Sequence, residues 1–282
     1  MPGSNERVLE KAKGLAADAL IFDLEDAVSP DQKDIARAQV LAAVSGGGYG
    51  NRELVVRIND LDSPWGQDDL AAAIEAAPNA ILVPKVSNAS DIQMVEEIMA
   101  KADAPSSIKL WVMMETPLAM LNAKDIAAEA ARLGARLSCF VMGTNDLAKD
   151  TGASLGGNRE GMLAWLSISV AAAKAYGIDI IDGVYNDFRD EAGFRLEAEQ
   201  GARFGMDGKT LIHPGQIDIA NEIFSPAQEQ IDWARKIIAA FEDPKNAGKG
   251  VITVEGRMVE LLHADMAKRT VAISDAITAL QS

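Results

Sequence analysis

Cysteine and histidine are scarce in this chain. Of its 282 residues only Cys139 is a cysteine, and the two histidines, His213 and His263, form no His-x-x-x-His or similar pair. One thiol cannot build a disulfide framework or a thiolate metal site, so we expect a reducing compartment. Cys139 lies in an apolar run and is interpreted as a core residue. The histidine spacing argues against a zinc site.

Basic residues and long apolar runs are also few. Lys and Arg total 27 against 42 Asp and Glu, which gives a formal charge of −15. Surfaces that bind nucleic acid or membranes need clustered Lys and Arg, so neither is a predicted partner, although a local patch could hold one anionic cofactor. No apolar run reaches about 18 residues, and no apolar secretory segment follows Met1. We therefore expect a soluble, cytoplasmic protein.

Seven short apolar runs, by contrast, each end in residue types that can do chemistry. The stretches between them carry apolar residues at helical spacing, as in DIQMVEEIMAKA after Lys85. This alternation predicts right-handed βαβ units, most simply in an α/β (β/α)8 TIM barrel whose reacting groups meet at the carboxyl ends of the strands. An open doubly wound sheet is the alternative. The runs are ALIFDLED, LVVRIND, AILVPKV, LWVMMETP, CFVMGTND, IDIIDGVYND and KTLIHP.

A closed barrel needs one strand more than these seven. The opening MPGS is typical of a strand-to-loop corner followed by a helix. We therefore expect a truncated first strand, with the native start roughly ten residues upstream; an open or swapped barrel is the alternative. The length favours one barrel, residues 1–224, as the catalytic domain, with residues 225–282 as a C-terminal segment.

Glu115 and Asp146 are the candidate metal ligands. Mg²⁺ prefers oxygen ligands and typically takes one or two protein carboxylates, which leaves positions for substrate. Gly143 allows close approach to a ligand, and Asn145 offers a donor beside the metal. The alternatives are structural: Glu115 pairs with Arg57 or caps the helix after METP, and Asp146 caps the helix LAKDTG.

The DLED cluster and two cations complete the candidate site. Arg57 can bind a substrate carboxylate through its planar fork, or it can pair with the cluster acids, and both roles are compatible. Three acids within four residues are costly to bury without cations, so we expect Lys33, Arg37 and Arg57 around them, in a scaffold role. Lys85 is expected to be ion-paired, and a Schiff-base nucleophile is its alternative role. The cluster acids are Asp23, Glu25 and Asp26.

Eight segments, spread in order over nearly the whole chain, carry a family resemblance. They are PGSNERVLEKA, IFDLEDAV, VRIN, PKV, METP, GTNDLAKD, IDGVYNDFRDEAGF and GMDGKTLIHPGQ. The chain resembles the citrate lyase beta-subunit and malyl-CoA lyase family of the HpcH/HpaI aldolase group. The resemblance implies a (β/α)8 barrel with Mg²⁺, or Mn²⁺, at Glu115 and Asp146, a substrate carboxylate at Arg57 and a CoA thioester as substrate. Positions near CoA are implied for Lys11, Ile212 and His213.

Within the family, three segments look closest to the branch that hydrolyses (3S)-malyl-CoA: MGTNDLAKD, GVYNDFRDE and DGKTLIHPGQ. In the family's lyases the tail reaches over a neighbouring subunit and presents an Asp to its active site. Glu260 stands at what looks like that position, which implies a homo-oligomer, trimer or hexamer, and a candidate base. We predict a last helix from about Met258, so a first-turn helix acid is the alternative for Glu260.

Other family activities stay open at this point. A lyase would cleave malyl-, methylmalyl-, citramalyl- or citryl-CoA to acetyl- or propionyl-CoA and an oxo acid. A citrate lyase beta subunit would act only within a complex with a carrier protein. The extra methylene of Glu260 disfavours a proton transfer arranged for Asp, which favours hydrolysis.

Overall fold

Seven parallel strands form the main sheet of the computed structural model, which describes residues 1–281. They hydrogen-bond in sequence order, β1 to β7, with each strand parallel to the next. Two further strands form a separate antiparallel hairpin. The strands are β1 (Ala19–Asp23), β2 (Glu53–Arg57), β3 (Ala80–Val83), β4 (Lys109–Met114), β5 (Leu137–Met142), β6 (Asp179–Asp182), β7 (Gly208–Lys209), β8 (Val251–Val254) and β9 (Arg257–Glu260).

Helices follow most of the parallel strands, as the alternating pattern predicts. They bury one apolar face; in the fourth, Ile92, Val95 and Met99 are buried. None of the described helices is both long and apolar enough to cross a bilayer. The helices are α1 (Glu6–Ala12), α2 (Lys33–Gly46), α3 (Gly66–Ala76), α4 (Ala89–Lys101), α5 (Pro117–Leu121), α6 (Ala123–Ala128), α7 (Thr144–Thr151), α8 (Leu163–Ala175), α9 (Glu191–Phe204), α10 (Ile217–Phe224), α11 (Gln228–Glu242) and α12 (Leu261–Gln281).

The parallel strands read as near-continuous apolar runs because helices cover them. All four residues of β3 and the last five of β4 are buried. Cys139 is 2% exposed, which confirms it as a core residue. One core cluster joins the side chains of Val55, Ala80, Leu82, Trp111, Met113, Cys139 and Val141.

The chain start lies along the free edge of β1. The Met1 amine donates to the Ile21 carbonyl at 2.7 Å, the Asp23 amide donates to the Met1 carbonyl at 2.8 Å, and the Gly3 amide donates to the Asp23 carbonyl at 2.8 Å. Pro2 forms a single parallel bridge with Asp23. Within residues 1–281 the sheet therefore has seven strands, and the eight-stranded closed barrel stays a prediction.

The seventh predicted strand, KTLIHP, is largely wrong. β7 is only Gly208–Lys209, and the chain turns into a short helical turn at Pro214–Gln216. The reason is local: the side-chain oxygen of Gln216 accepts from the amides of Ile212 and His213 at 3.0 and 3.3 Å, so these amides cannot join a strand ladder.

The chain separates into two compact units, the first spanning Met1–Ala220 and the second beginning at Asn221. In the second unit α11, β8, β9 and α12 share an apolar core. The predicted helix start at Met258 is wrong. Glu255 and Gly256 have φ of +48° and +78°, typical of a type I′ hairpin turn, and Val254 pairs with Arg257 across it.

Glu260 therefore ends a strand. The alternative role as a first-turn helix acid is wrong, because α12 begins one residue later, at Leu261. The Glu260 amide donates to Nδ1 of His263 at 2.9 Å. This bond anchors the backbone at the junction of β9 and α12.

Candidate active site

Two carboxylates lie at the carboxyl ends of β4 and β5. Glu115 directly follows β4 and is wholly buried, whereas Asp146, in the first turn of α7, is 19% exposed. Neither structural alternative for Glu115 is correct. Thr116 caps α5 by accepting from the Ala119 amide at 3.0 Å, and Glu115 Oε1 accepts instead from the Lys85 amide at 2.8 Å.

The ammonium group of Lys85 lies between these two acids. Its Nζ lies 2.9 Å from Asp146 Oδ2 and 3.4 Å from Glu115 Oε1. Burial alone would lower the pKa of Lys85, but the hydrogen bond to Asp146 and the charge of Glu115 outweigh it and raise that pKa. A Schiff-base nucleophile must be a free amine, so this site disfavours that role for Lys85.

The pKa values of the two acids are shifted in opposite directions at this site. Burial raises the pKa of Glu115 against the opposing effect of Lys85. Burial also opposes ionisation of Asp146, but Lys85 outweighs it and the pKa of Asp146 is lowered. The pair therefore combines an ionised acid with one that readily holds a proton, and a nearby divalent cation would favour ionisation of both.

One oxygen of the pair has no partner in the described residues. Glu115 Oε2 is buried and accepts no hydrogen bond. The backbone of Gly143 packs closely against Glu115, and any larger residue would clash, because a Cβ there would lie 2.3 Å from Glu115 Cβ and 2.8 Å from Oε2. No group of three or more His, Cys, Asp or Glu side chains gathers to hold a metal within residues 1–281. Two neighbouring carboxylates nevertheless suit Mg²⁺, which fills its other positions with water and substrate oxygens.

Arg57 ties the acid cluster together. Its Nε and Nη2 donate to Asp23 Oδ1 and Oδ2 at 2.7 and 2.6 Å, and its Nη1 lies 2.7 Å from Glu25 Oε2 and 3.3 Å from Asp26 Oδ2. Burial opposes ionisation of Asp23, but Arg57 outweighs it and the pKa of Asp23 is lowered. All three cluster acids thus contact the guanidinium, with Asp23 on its Nε–Nη2 edge and Glu25 and Asp26 at Nη1.

The other two cations expected around the cluster do not pair with its carboxylates. Lys33 Nζ donates to the main-chain oxygens of Leu24 and Glu25 at 2.8 Å each. Arg37 Nε donates to Asp69 Oδ1 at 2.7 Å. The expectation that cations surround the cluster holds for Lys33, which lies beside it and interacts with the charges of its acids. It is wrong for Arg37, whose position on α2 brings it to Asp69 of α3 instead.

Glu25 is the acid that this arrangement leaves poorly compensated. Its Oε2 is within ion-pair distance of Arg57 but is not aligned for a hydrogen bond. Burial, opposed by Arg57, raises its pKa from 4.5 to about 8. A carboxyl group that keeps its proton in the folded state but loses it in the unfolded state lowers the free energy of unfolding as the pH rises.

Replacing Glu25 with Gln should therefore remove a pH dependence of stability. Between about pH 4.5 and 8 the unfolded chain ionises Glu25 while the folded chain keeps its proton, so the wild-type unfolding free energy falls as pH rises through this window. We expect E25Q to gain on the order of 3 kcal/mol relative to wild type at pH 8, and little at pH 4. Urea unfolding in EDTA at both pH values measures it. Exposed Glu10, replaced by Gln, is the control; parallel curves for E25Q and wild type would contradict the prediction.

The remaining predicted residues are spread over several parts of the chain. Asn145 and Asn186 exchange two side-chain hydrogen bonds, at 3.1 and 2.7 Å, beside Asp146. Lys11 lies in the last turn of α1. Ile212 is half-exposed, and the His213 ring stacks on Phe188 with centroids 4.9 Å apart. Glu260 belongs to the second unit.

A buried ion cluster at β6 was missed by the sequence analysis. Arg159 Nη1 donates to both carboxylate oxygens of Asp182 at 2.7 and 3.0 Å, and Lys209 Nζ lies 3.1 Å from Asp182 and 2.7 Å from Glu197. Arg159 lies in the irregular segment between α7 and α8, with φ of +54°. No periodicity marks that segment, so the only available signal was the acid ending β6.

Comparisons with known proteins find relatives over nearly the whole chain. A (3S)-malyl-CoA thioesterase of Cereibacter sphaeroides (strain KD131 / KCTC 12085) is 50% identical over 282 residues, covering 100% of this chain and 95% of that protein. An L-malyl-CoA/beta-methylmalyl-CoA lyase of the same species (strain ATCC 17029 / ATH 2.4.9) is 33% identical, covering 99% and 94%. The CitE protein of Mycobacterium tuberculosis, solved in complex with magnesium, acetoacetate and coenzyme A, has a TM-score of 0.73 and 28% identity, covering 96% of each chain.

A protein-family model also matches most of the first unit. The model for HpcH/HpaI aldolase/citrate lyase matches residues 1–214, which include the seven parallel strands and both candidate metal ligands. The chain is therefore a member of the HpcH/HpaI aldolase/citrate lyase family.

Proposed function

We propose that this protein hydrolyses (3S)-malyl-CoA to malate and CoA, with Mg²⁺ held by Glu115 and Asp146. The observation that carries the site is the buried, unpartnered Oε2 of Glu115 beside the ionised Asp146. The 50% identity to a (3S)-malyl-CoA thioesterase over the full chain supports the reaction. The CitE protein with bound magnesium and coenzyme A supports the metal and the substrate class. Mn²⁺, which also accepts oxygen ligands, is a plausible substitute.

The residues present fit a divalent cation. Glu115 and Asp146 supply one charge each, Gly143 places no side chain against Glu115, and Asn145 lies next to Asp146 as a donor for substrate. Bound there, the cation would polarise a substrate oxygen as a Lewis acid. Arg57 would bind the malyl carboxylate and orient it, with the substrate replacing the Nη1 contacts to Glu25 and Asp26. Asp23, Glu25 and Asp26 fix the position of Arg57.

Hydrolysis needs a base for water and donors for the developing oxyanion. Glu260 is the proposed base, contributed from the tail of a neighbouring subunit in a homo-oligomer, trimer or hexamer. Water adds to the thioester carbonyl as Glu260 takes one of its protons. The C–S bond then breaks as Glu260 returns that proton to the leaving sulfur, which releases CoA thiol and malate. Lys11, Ile212 and His213 are the proposed contacts for CoA. A complete barrel, the trans placement of the tail and a cytoplasmic location belong to this proposal.

Product analysis tests the reaction directly. Purified protein with (3S)-malyl-CoA and Mg²⁺ should release free thiol and malate in equal amounts and no glyoxylate. Free thiol is followed with a chromogenic disulfide, and glyoxylate with phenylhydrazine. Glyoxylate with acetyl-CoA, and no free thiol, would establish the lyase instead, which the 33% identity to a malyl-CoA lyase makes the second candidate.

Glu260→Gln separates the catalytic role from metal binding. The variant should lose at least about a hundredfold in thiol release, because an amide cannot accept the water proton. Its Mg²⁺ affinity should be unchanged, since the ligands lie at Glu115 and Asp146. Glu255→Gln in the same hairpin removes an exposed acid paired with Lys236 and should retain full activity. Full activity of E260Q would remove Glu260 from the mechanism.

Subunit dependence distinguishes the remaining alternative. A citrate lyase beta subunit acts on an acyl group presented by a carrier protein. Turnover of free CoA esters by the isolated protein would argue against that role. If the protein is inert toward free esters and active only with an acylated carrier protein, the proposed function is wrong and the subunit role is correct.

A further inference from the structure

Lys85 has an unusual backbone for its residue type. It follows Pro84 after β3 and has φ of +57°, a left-handed conformation that residues with a side chain seldom adopt. Such strain persists only where surrounding contacts hold it. Here the Lys85 amide donates to Glu115 Oε1 at 2.8 Å, and its ammonium lies between Glu115 and Asp146. Both ends of the residue are thus aimed at the carboxylate pair.

We propose that Lys85 is a built-in counter-cation that competes with the divalent metal for the Glu115 and Asp146 pair, so that it stabilises the metal-free protein and weakens metal binding. This inference rests on the proposed function, because it takes that pair as the metal site. The added claim is that the Lys85 ammonium pairs with both carboxylates when no metal is bound and gives way when a metal binds.

The charges of the site support competition. Two carboxylates that approach closely repel each other unless a cation lies nearby, and the Lys85 ammonium is the nearest one, at 2.9 and 3.4 Å from their oxygens. A divalent cation that binds the same oxygens would meet this positive charge a few ångströms away, at an energetic cost set by Coulomb's law. The Lys85 side chain is one-third exposed, so it has room to withdraw toward solvent.

Arg57 does not serve as an equivalent counter-cation. Its guanidinium is bonded to Asp23 and lies near Glu25 and Asp26. Lys33 donates to main-chain carbonyls. Within residues 1–281, Lys85 is thus the cation with ion pairs to both candidate metal ligands.

Metal titration of the full-length protein tests the inference. Mg²⁺ binding is measured by calorimetry and Mn²⁺ binding by electron paramagnetic resonance, for wild type and for Lys85→Met, which keeps an unbranched side chain of nearly the same length and removes its charge. We expect K85M to bind both ions at least about tenfold more tightly. In EDTA its melting temperature should fall below that of wild type, and saturating Mg²⁺ should close that difference.

Two control variants isolate the charge at this position. Lys85→Arg keeps the charge and should bind metal no more tightly than wild type. Lys101→Met removes an exposed lysine paired only with Glu97 and should bind as wild type does. Lys85→Gln is a second neutral variant in case K85M fails to fold, and it should also bind more tightly.

The outcomes separate this inference from the proposed function. If Asp146→Asn abolishes metal binding but K85M and K85Q bind metal no more tightly than wild type, Lys85 does not compete with the metal. The assignment of the metal site to Glu115 and Asp146 is then retained. If wild-type metal binding does not depend on Asp146, the proposed metal site itself is wrong and the inference falls with it.

Discussion

Replacing Asp146 with Asn should lower turnover of (3S)-malyl-CoA by at least about a thousandfold and abolish Mg²⁺ binding. Asp146 supplies one of the two negative charges of the proposed metal site, and a metal that polarises a substrate oxygen contributes several kcal/mol to the reaction barrier. Asp146 is preferred to Glu115 for this experiment because it is 19% exposed, whereas Glu115 is wholly buried and accepts the hydrogen bond of the Lys85 amide.

The matched control lies four residues later on the same helix. Asp150, also on α7, is exposed, and Asp150→Asn makes the same chemical change without touching the site. Turnover is measured by thiol release and metal binding by calorimetry. We expect D150N to behave as wild type in both. Retention of Mg²⁺ binding by D146N would place the metal elsewhere, and retained turnover with lost metal binding would show that hydrolysis does not require it.

The meeting of Lys85, Glu115 and Asp146 could be predicted from the sequence because parallel strands bring their carboxyl ends to one edge of a sheet. Each of the first six runs contains a parallel strand, and the side chains that follow β3, β4 and β5 meet as Lys85, Glu115 and Asp146. Periodicity and strand polarity suffice for that inference. Which oxygen is left unpartnered depends on side-chain packing around Gly143, which a pattern of apolar residues does not contain.

The errors share a different cause. At KTLIHP an apolar run precedes Gln216, whose side chain captures the Ile212 and His213 amides and prevents a longer strand. At the tail, the conformations of Glu255 and Gly256 reverse the chain before the helix can begin. In both places one residue's local hydrogen bond or dihedral angle outweighs the periodic signal.

The cluster around Asp182 marks the limit of prediction from sequence. Arg159 reaches Asp182 from an irregular segment, and Lys209 reaches it from β7. The pattern of apolar residues does not show which charged side chains, from three separate segments of the chain, will be buried together. The importance of the cluster follows from burial: the Asp182 and Lys209 side chains are 0% exposed and that of Arg159 is 1% exposed.

Replacing Arg159 with Met should destabilise the protein by about 3–5 kcal/mol, because it removes one partner of a buried ion pair and leaves the other. Burial opposes ionisation of Asp182, and Lys209 and Arg159 together outweigh it, so its pKa is lowered. Lys209 alone must then compensate both Asp182 and Glu197. Urea unfolding at pH 7 measures the loss. The control is Arg203→Met, which breaks an exposed pair with Glu199 and should cost under about 0.5 kcal/mol.

The double variant R159M/D182N decides whether the loss comes from an uncompensated charge. If it does, neutralising Asp182 in the R159M background should restore at least about 1 kcal/mol, although D182N alone should destabilise the wild type. Additive losses would instead assign the effect to the packing of the Arg159 stem. The φ of +54° at Arg159 agrees with the first outcome, since that conformation costs energy that the contacts to Asp182 must offset. The cluster would then fix the loop that follows β6. Asn186 in that loop hydrogen-bonds to Asn145, next to the proposed metal ligand Asp146.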